Sequence, residues 1–116
     1  MGSEGVSMHE LGITRNIVAI VTEHARGARV KRVSIEVGKL SAILPDAIRF
    51  CFDVCSRDTL LDGAELTIHE IAGKGRCRVC GQEMAMERVF GRCMCGSRQI
   101  QCIAGEELNI KEMELA

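Results

Sequence analysis

The sequence lacks tryptophan and tyrosine, and its only aromatic residues are Phe50, Phe52 and Phe90. With three aromatic anchors, a chain of 116 residues is expected to form only a modest hydrophobic core. The absence of Trp and Tyr also argues against a protein that recognises nucleic acid by stacking on its bases. We therefore expect a further source of stability.

A large charge of one sign and a long apolar run are missing as well. The formal net charge is −1, whereas a general nucleic-acid binder carries a clear positive excess. The longest clean apolar run, residues 17–21, is far shorter than the roughly 20 residues that cross a bilayer. The segment before Met8 has no basic stretch followed by an apolar one, as a secretory signal would. We expect a cytoplasmic protein that does not span the membrane.

Cysteine, in contrast, is abundant, with seven residues. Disulfides are rare in the cytoplasm, so closely spaced cysteines indicate metal ligands there. Two pairs stand out, Cys77 with Cys80 and Cys93 with Cys95, and each pair is followed by a glycine. Two such turns facing each other can supply the four sulfurs of a tetrahedral structural zinc site. We expect the glycines to let the backbone turn so that N–H groups point at the sulfurs.

The spacing leaves the fourth zinc ligand open. The first pair has two intervening residues and the second has only one. The shorter spacing strains the geometry in which the second pair can bind one metal ion. Cys102 and the more distant His69 are the alternative ligands. A free redox dithiol is a competing hypothesis, but such a pair follows a strand and opens a helix within a βαβ pattern. No such pattern surrounds Cys77.

The periodicity of the remaining chain predicts an α+β fold, a small three-stranded sheet with two helices. Apolar residues recur at steps of three and four from Met8 to about Ala25, as in an amphipathic helix, and Gly27 would end it. Alternation over residues 33–37 predicts a strand with one solvent-exposed face. A second helix should run from Pro45 to about residue 57. Strands are expected at residues 66–69 and 108–110, with a bulge or frayed end after the latter.

Residues 73–104 differ in composition from the rest. This segment is rich in Gly and Cys and carries six basic and two acidic residues, a charge of +4 against −5 for the remainder. It is expected to be an inserted zinc-ribbon-like domain whose folding depends on metal, with Gly73 and Gly75 as a hinge. Residues 1–72 and 105–116 would form the other domain.

His9 and Glu10 lie at the predicted start of the first helix. Residues 7–10 match a capping box, in which the serine caps the helix and Glu10 reaches back to the cap N–H. A metal-binding role is the alternative, and the residues alone do not separate the two.

Five segments, taken in order, resemble the HypA/HybF family of hydrogenase maturation nickel chaperones. They are residues 8–11, 32–38, 50–53, the cysteine-pair module 77–96, and 105–110. The combination is specific, although the cysteine pairs alone would not be.

The resemblance implies a nickel-binding α/β domain with an inserted zinc domain. Such proteins deliver Ni(II), with a GTPase partner, to the large subunit of [NiFe] hydrogenase, and some relatives also serve urease. They use the terminal amine, the histidine imidazole and a nearby backbone nitrogen, which implies His9 as the principal nickel ligand and Glu10 as a supporting one. Residues 1–7 precede Met8, so the terminal amine adjoins His9 only in a chain that starts at Met8.

Two other classes of function compete with a chaperone. A zinc-ribbon module could recognise nucleic acid or an acidic protein through its basic insert. An enzyme is disfavoured because the sequence shows no catalytic triad, no phosphate-binding glycine loop and no metal set with an open position. An exposed edge strand of the predicted sheet could also pair with a second copy of the chain.

Overall fold

The computed structural model describes residues 8–87 and 91–116. Within them the chain forms two helices and six strands, which confirms the predicted α+β class. In chain order these are α1 Met8–Ala25, β1 Val30–Gly38, α2 Pro45–Cys55, β2 Glu65–Ile71, β3 Gly73–Cys77, β4 Glu83–Met86, β5 Ile100–Ala104 and β6 Leu108–Leu115. None of the helices in these ranges is long and apolar enough to cross a membrane.

Helix α1 follows the predicted pattern except at Ile20, which the steps of three and four place on the buried stripe but which is 44% exposed. Ile17, Val21 and Ala25 recur every four residues and are buried. The helix ends because Arg26 and Gly27 adopt left-handed backbone angles, with φ of 52° and 87°. Glycine adopts this conformation without steric cost, so Gly27 is the stop that the sequence indicated.

The first sheet has the order β2-β1-β6, with β1 at its centre. Strand β1 runs parallel to β2, across the α2 connection, and antiparallel to β6. The expected bulge in the last strand is present: Ser34 faces Glu112 and Ile35 faces Ile110, so Lys111 is the extra residue. One expectation about β1 is wrong: the alternation over residues 33–37 places Ser34, between Val33 and Ile35, on the solvent-exposed face, but Ser34 is only 4% exposed. A small side chain on a central strand is shielded by the strands on both sides.

Both helices contribute to one core with the first sheet. Fully buried members include Val33 and Ile35 of β1, Ile48 of α2 and Leu61 of the following loop. The role assigned to the aromatic residues needs correction. Phe52 is buried in this core, but Phe50 is 60% exposed because it lies on the opposite face of α2. Phe90 lies outside the described residues.

The second sheet has the order β4-β3-β5 and is antiparallel throughout. The two glycines predicted to form a hinge belong to β3 instead, Gly73 as its first residue and Gly75 within it. Their role is close packing: a Cβ on Gly75 would overlap the Met86 side chain, and one on Gly73 would overlap the Met86 carbonyl. Glycine is therefore required here by space rather than by flexibility.

The two sheets meet at a tight junction that the sequence did not indicate. A Cβ on Gly38 would overlap the carbonyl of Gly105, and Gly105 itself has a φ of +110°. The Leu40 N–H donates to the Gly105 carbonyl at 2.6 Å, and the Leu40 side chain lies against both Gly73 and Gly105. The loop after β1 is thereby fixed between the sheets.

Candidate metal centres

Two tight turns of similar form carry the cysteine pairs. Cys77 ends β3, and the Gly81 N–H closes the first turn on the Cys77 carbonyl at 2.9 Å. The Gly96 N–H closes the second turn on the Cys93 carbonyl at 2.8 Å. Both glycines have positive φ, 79° and 98°, which a residue with a side chain rarely adopts. The glycine after each pair is thus required by the turn.

The two turns bring four sulfurs together. The Sγ atoms of Cys77, Cys80, Cys93 and Cys95 all lie within 4.8 Å of one another. Cys77 Sγ is 3.7 Å from Cys95 Sγ, and Cys80 Sγ is 3.5 Å from Cys93 Sγ. Zinc–sulfur bonds of about 2.3 Å in a tetrahedron place sulfurs about 3.8 Å apart. The donor set and its spacing therefore fit Zn(II), and a second pair with one intervening residue is no obstacle.

Backbone amides favour the thiolate form of Cys77. The N–H groups of Cys80 and Val79 donate to Cys77 Sγ at 3.5 and 3.4 Å. These bonds, that of Cys80 first, lower the pKa of the Cys77 thiol to about 6. N–H groups do point at a sulfur, as expected, but they come from inside the turn, and the glycine amide binds a carbonyl instead. Since the thiolate is the metal ligand, this environment prepares Cys77 for coordination.

Neither alternative zinc ligand belongs to the cluster. Cys102 lies in β5, where its thiol donates to the Ala104 carbonyl at 3.2 Å. Burial and the nearby carboxylate of Glu106 raise the pKa of the Cys102 thiol, which disfavours the thiolate. His69 lies on β2, in the first sheet, and is exposed. Among the described residues, only the two cysteine pairs gather as a candidate metal group.

His9 and Glu10, neighbours in the first turn of α1, differ in their exposure to solvent. The His9 side chain is exposed, whereas Glu10 is only 4% exposed. Glu10 Oε2 accepts the Leu44 N–H at 3.4 Å, and Thr14 Oγ1 donates to the Glu10 carbonyl at 2.7 Å. Ser7, the other half of the capping-box interpretation, lies outside the described residues. The structure thus presents the imidazole to solvent and holds the carboxylate inside.

The contact between Glu10 and Leu44 is the functional detail that sequence reasoning missed. Leu44 precedes α2 at the N-cap position and has no side chain that could cap the helix. The Glu10 carboxylate binds its amide from another element and lies at the positive end of α2. A capping position occupied by leucine was the only signal in the sequence.

The fold and these centres define a class of protein. It is a small metal-binding α+β protein with a four-thiol site on a second sheet and an exposed histidine on the first turn of α1. Residues 8–115 match the family described as "Hydrogenase/urease nickel incorporation, metallochaperone, hypA". The chain belongs to this HypA family.

Close relatives support the assignment. The chain is 65% identical to hydrogenase maturation factor HypA of Nostoc punctiforme over 108 residues, which is 93% of this chain and 96% of that protein. It is 46% identical to the protein of the same name from Geobacter metallireducens over 109 residues, covering 93% and 99%.

Two solved structures share the fold. A solution structure of a HypA protein superposes with a TM-score of 0.72 at 23% identity, covering 95% of this chain and 98% of that one. The solution structure of the Ni metallochaperone HypA from Helicobacter pylori gives a TM-score of 0.67 at 22% identity, covering 91% and 96%. At these identities the likeness supports the architecture of both sheets.

Proposed function

We propose that this chain binds Ni(II) at the start of α1 and delivers it to [NiFe] hydrogenase during maturation. The observation that carries the proposal is the position of His9, exposed on the first turn of α1 and on a different element from the four cysteines. The first backbone N–H groups of a helix have no partner within it. The adjoining backbone nitrogens can therefore release their protons to solvent without breaking a helical hydrogen bond and bind Ni(II) beside the imidazole, since Ni(II) accepts nitrogen donors in square-planar geometry.

Glu10 supports this proposed site. Its backbone nitrogen adjoins His9, and its carboxylate is buried against the Leu44 N–H. This contact adds to the buried apolar stripe of α1, which includes Ile17 and Val21 and sets the rotation of the helix. His9 then faces solvent, where a carrier must accept and release its cargo. Loss of the carboxylate would loosen the first turn and weaken nickel binding without removing the principal ligand.

The four cysteines would hold Zn(II) as a structural ion, ligated by Cys77, Cys80, Cys93 and Cys95. Four protein thiolates fill a tetrahedral zinc site and leave no position for a substrate or water. The proposed role is therefore to stabilise an inserted domain of residues 73–104, within a domain formed by residues 1–72 and 105–116. A closed zinc site is typical of a structural rather than a catalytic ion.

Delivery requires partners, and membership of the HypA family supports partners within the hydrogenase maturation machinery. We expect a maturation GTPase and the [NiFe] hydrogenase large subunit as partners in the cytoplasm. Urease maturation factors are further proposed partners that would accept nickel. A homodimer is compatible with the fold, because β2 and β6 are the outer strands of the first sheet in the described part.

Nickel titration of a chain that begins at Met8 tests the proposal. We expect one Ni(II) bound by the parent protein and a loss of at least about tenfold in affinity for His9→Ala. His24→Ala is the matched control, since His24 is an exposed histidine at the far end of the same helix. Equal nickel affinity in the parent and the His9 variant would show that the assigned site is wrong.

A further inference from the structure

The tip of the second sheet carries exposed apolar side chains. Val79 is the second of the two residues between Cys77 and Cys80, and it is 64% exposed. Met94 is the residue between Cys93 and Cys95, and it is 96% exposed. The sulfurs that flank these residues converge within 4.8 Å, so both turns end at the same place. Neither side chain belongs to the hydrophobic core.

Three arginines accompany these apolar residues without a carboxylate partner. Arg78, Arg92 and Arg98 are exposed, and none forms an ion pair within residues 8–87 and 91–116. The basic residues nearer the junction behave differently, because Lys74 and Arg76 both pair with Glu83. In the described part of this segment, the positive charge without an ion pair is thus concentrated around the cysteine turns.

We propose that this tip, defined as Arg78, Val79, Arg92, Met94 and Arg98, docks on an acidic protein surface that contains an apolar recess. Flexible, polarisable methionine side chains adapt to such recesses. Arginines around an apolar centre steer an acidic partner and then bind its carboxylates, often through two hydrogen bonds. The proposal rests on the proposed function, in which a nickel carrier must hold its acceptor.

The chemistry of the tip favours a protein partner over a nucleic acid. Phosphate binding would use the arginines but not the two most exposed apolar side chains. Valine and methionine do not provide the aromatic faces on which bases stack. A second copy of this chain is another occupant to test, since the open face of the first sheet carries acidic residues such as Glu36, Glu65 and Glu112.

Two tip variants separate the apolar and the charged contributions. The first is Val79→Ser with Met94→Ser, and the second is Arg78→Glu with Arg92→Glu. The matched controls are Val54→Ser, an exposed apolar residue on α2, and Arg57→Glu, an exposed basic residue just beyond that helix. Each variant is first checked for one zinc and for nickel affinity equal to the parent.

Binding is then measured by calorimetry with two purified probes, the hydrogenase large-subunit precursor and the maturation GTPase. We expect both tip variants to raise Kd at least about tenfold for one of the probes, while the controls stay within about twofold. The loss of affinity in the arginine variant, relative to the parent, should become smaller as the salt concentration is raised. The loss of affinity in the apolar variant should not change with salt.

Three outcomes would overturn the docking proposal. The first is unchanged Kd for both probes in both tip variants. The second is that the parent binds a labelled single-stranded oligonucleotide and the tip variants do not, while the tip variants bind both protein probes as the parent does. The third is a dimer in the parent that becomes a monomer only in the tip variants, measured by analytical ultracentrifugation. Failure of the nickel proposal is distinguishable, because it appears in the titration of His9→Ala and leaves these measurements unaffected.

Discussion

Removal of zinc is expected to unfold residues 73–104 while α1 and α2 remain folded. Apart from the cysteines of the cluster, Met86 is the buried apolar side chain of this segment in its described part. Burying one methionine contributes about 1.5–3 kcal/mol. Structural zinc in small domains contributes about 10–16 kcal/mol at neutral pH. The metal therefore outweighs the burial of this one side chain several-fold.

Hydrogen exchange with mass spectrometry measures this directly. After a strong chelator has removed the metal, the amides of β3, β4 and β5 should exchange at rates close to those of an unfolded chain. The amides of α1 and β1 should keep most of their protection, because their core is built from the first sheet and the helices. Adding back one equivalent of zinc should restore the original pattern.

A pair of cysteine variants provides the control for this prediction. Cys77→Ser should exchange like the zinc-free protein, because it removes a cluster ligand. Cys102→Ser should retain one zinc and full protection, since the Cys102 thiol binds a carbonyl outside the cluster. Protected β3 amides in protein shown to contain no zinc would refute the reasoning that metal holds this sheet together.

The remaining predictions concern the first sheet and its helices, with stability measured by urea denaturation. Glu10→Ala should lower the free energy of unfolding by about 1–3 kcal/mol, because the Leu44 amide loses its partner; an unchanged midpoint would contradict this contact. Gly38→Ala should lower the free energy of unfolding by about 1–3 kcal/mol, because a Cβ at this position overlaps the carbonyl of Gly105. Gly12→Ala in α1 should raise it by about 0.8–1 kcal/mol, because the space around Gly12 is open. Phe52→Ala should cost about 3–5 kcal/mol, and Phe50→Ala should stay within about 0.5 kcal/mol.

The elements that sequence predicted well are those with strong local signals. Helix α1 combines a regular apolar stripe with a glycine that can adopt a left-handed angle, so both its course and its end follow from neighbouring residues. The closeness of the two thiols within each pair followed similarly from turn chemistry, because short loops with a glycine bring two thiols to one side. The two turns meet across 13 and 18 positions, and that contact was predicted from the four sulfurs that a tetrahedral zinc site requires.

The features that sequence missed depend on contacts between distant segments. The burial of Glu10 arises because the loop before α2 passes over the first turn of α1, and the two residues in contact are 34 positions apart. The tight packing at Gly38 requires Gly105 to arrive from the other end of the chain. Phe50 was misjudged because a short helix with three apolar residues in succession has no unique buried face until its partners are known.

X-ray absorption at the nickel and zinc edges tests the central claim, that two metals occupy two separate centres. The measurement uses a chain starting at Met8 and loaded with one equivalent of each metal. Zinc should show four sulfur ligands at about 2.3 Å, and nickel should show nitrogen or oxygen ligands, with sulfur absent from its first shell. His9→Ala should abolish the nickel spectrum of the bound state and leave the zinc spectrum unchanged. Sulfur ligands at nickel, or a nickel spectrum unaffected by His9→Ala, would contradict the assignment of the two centres.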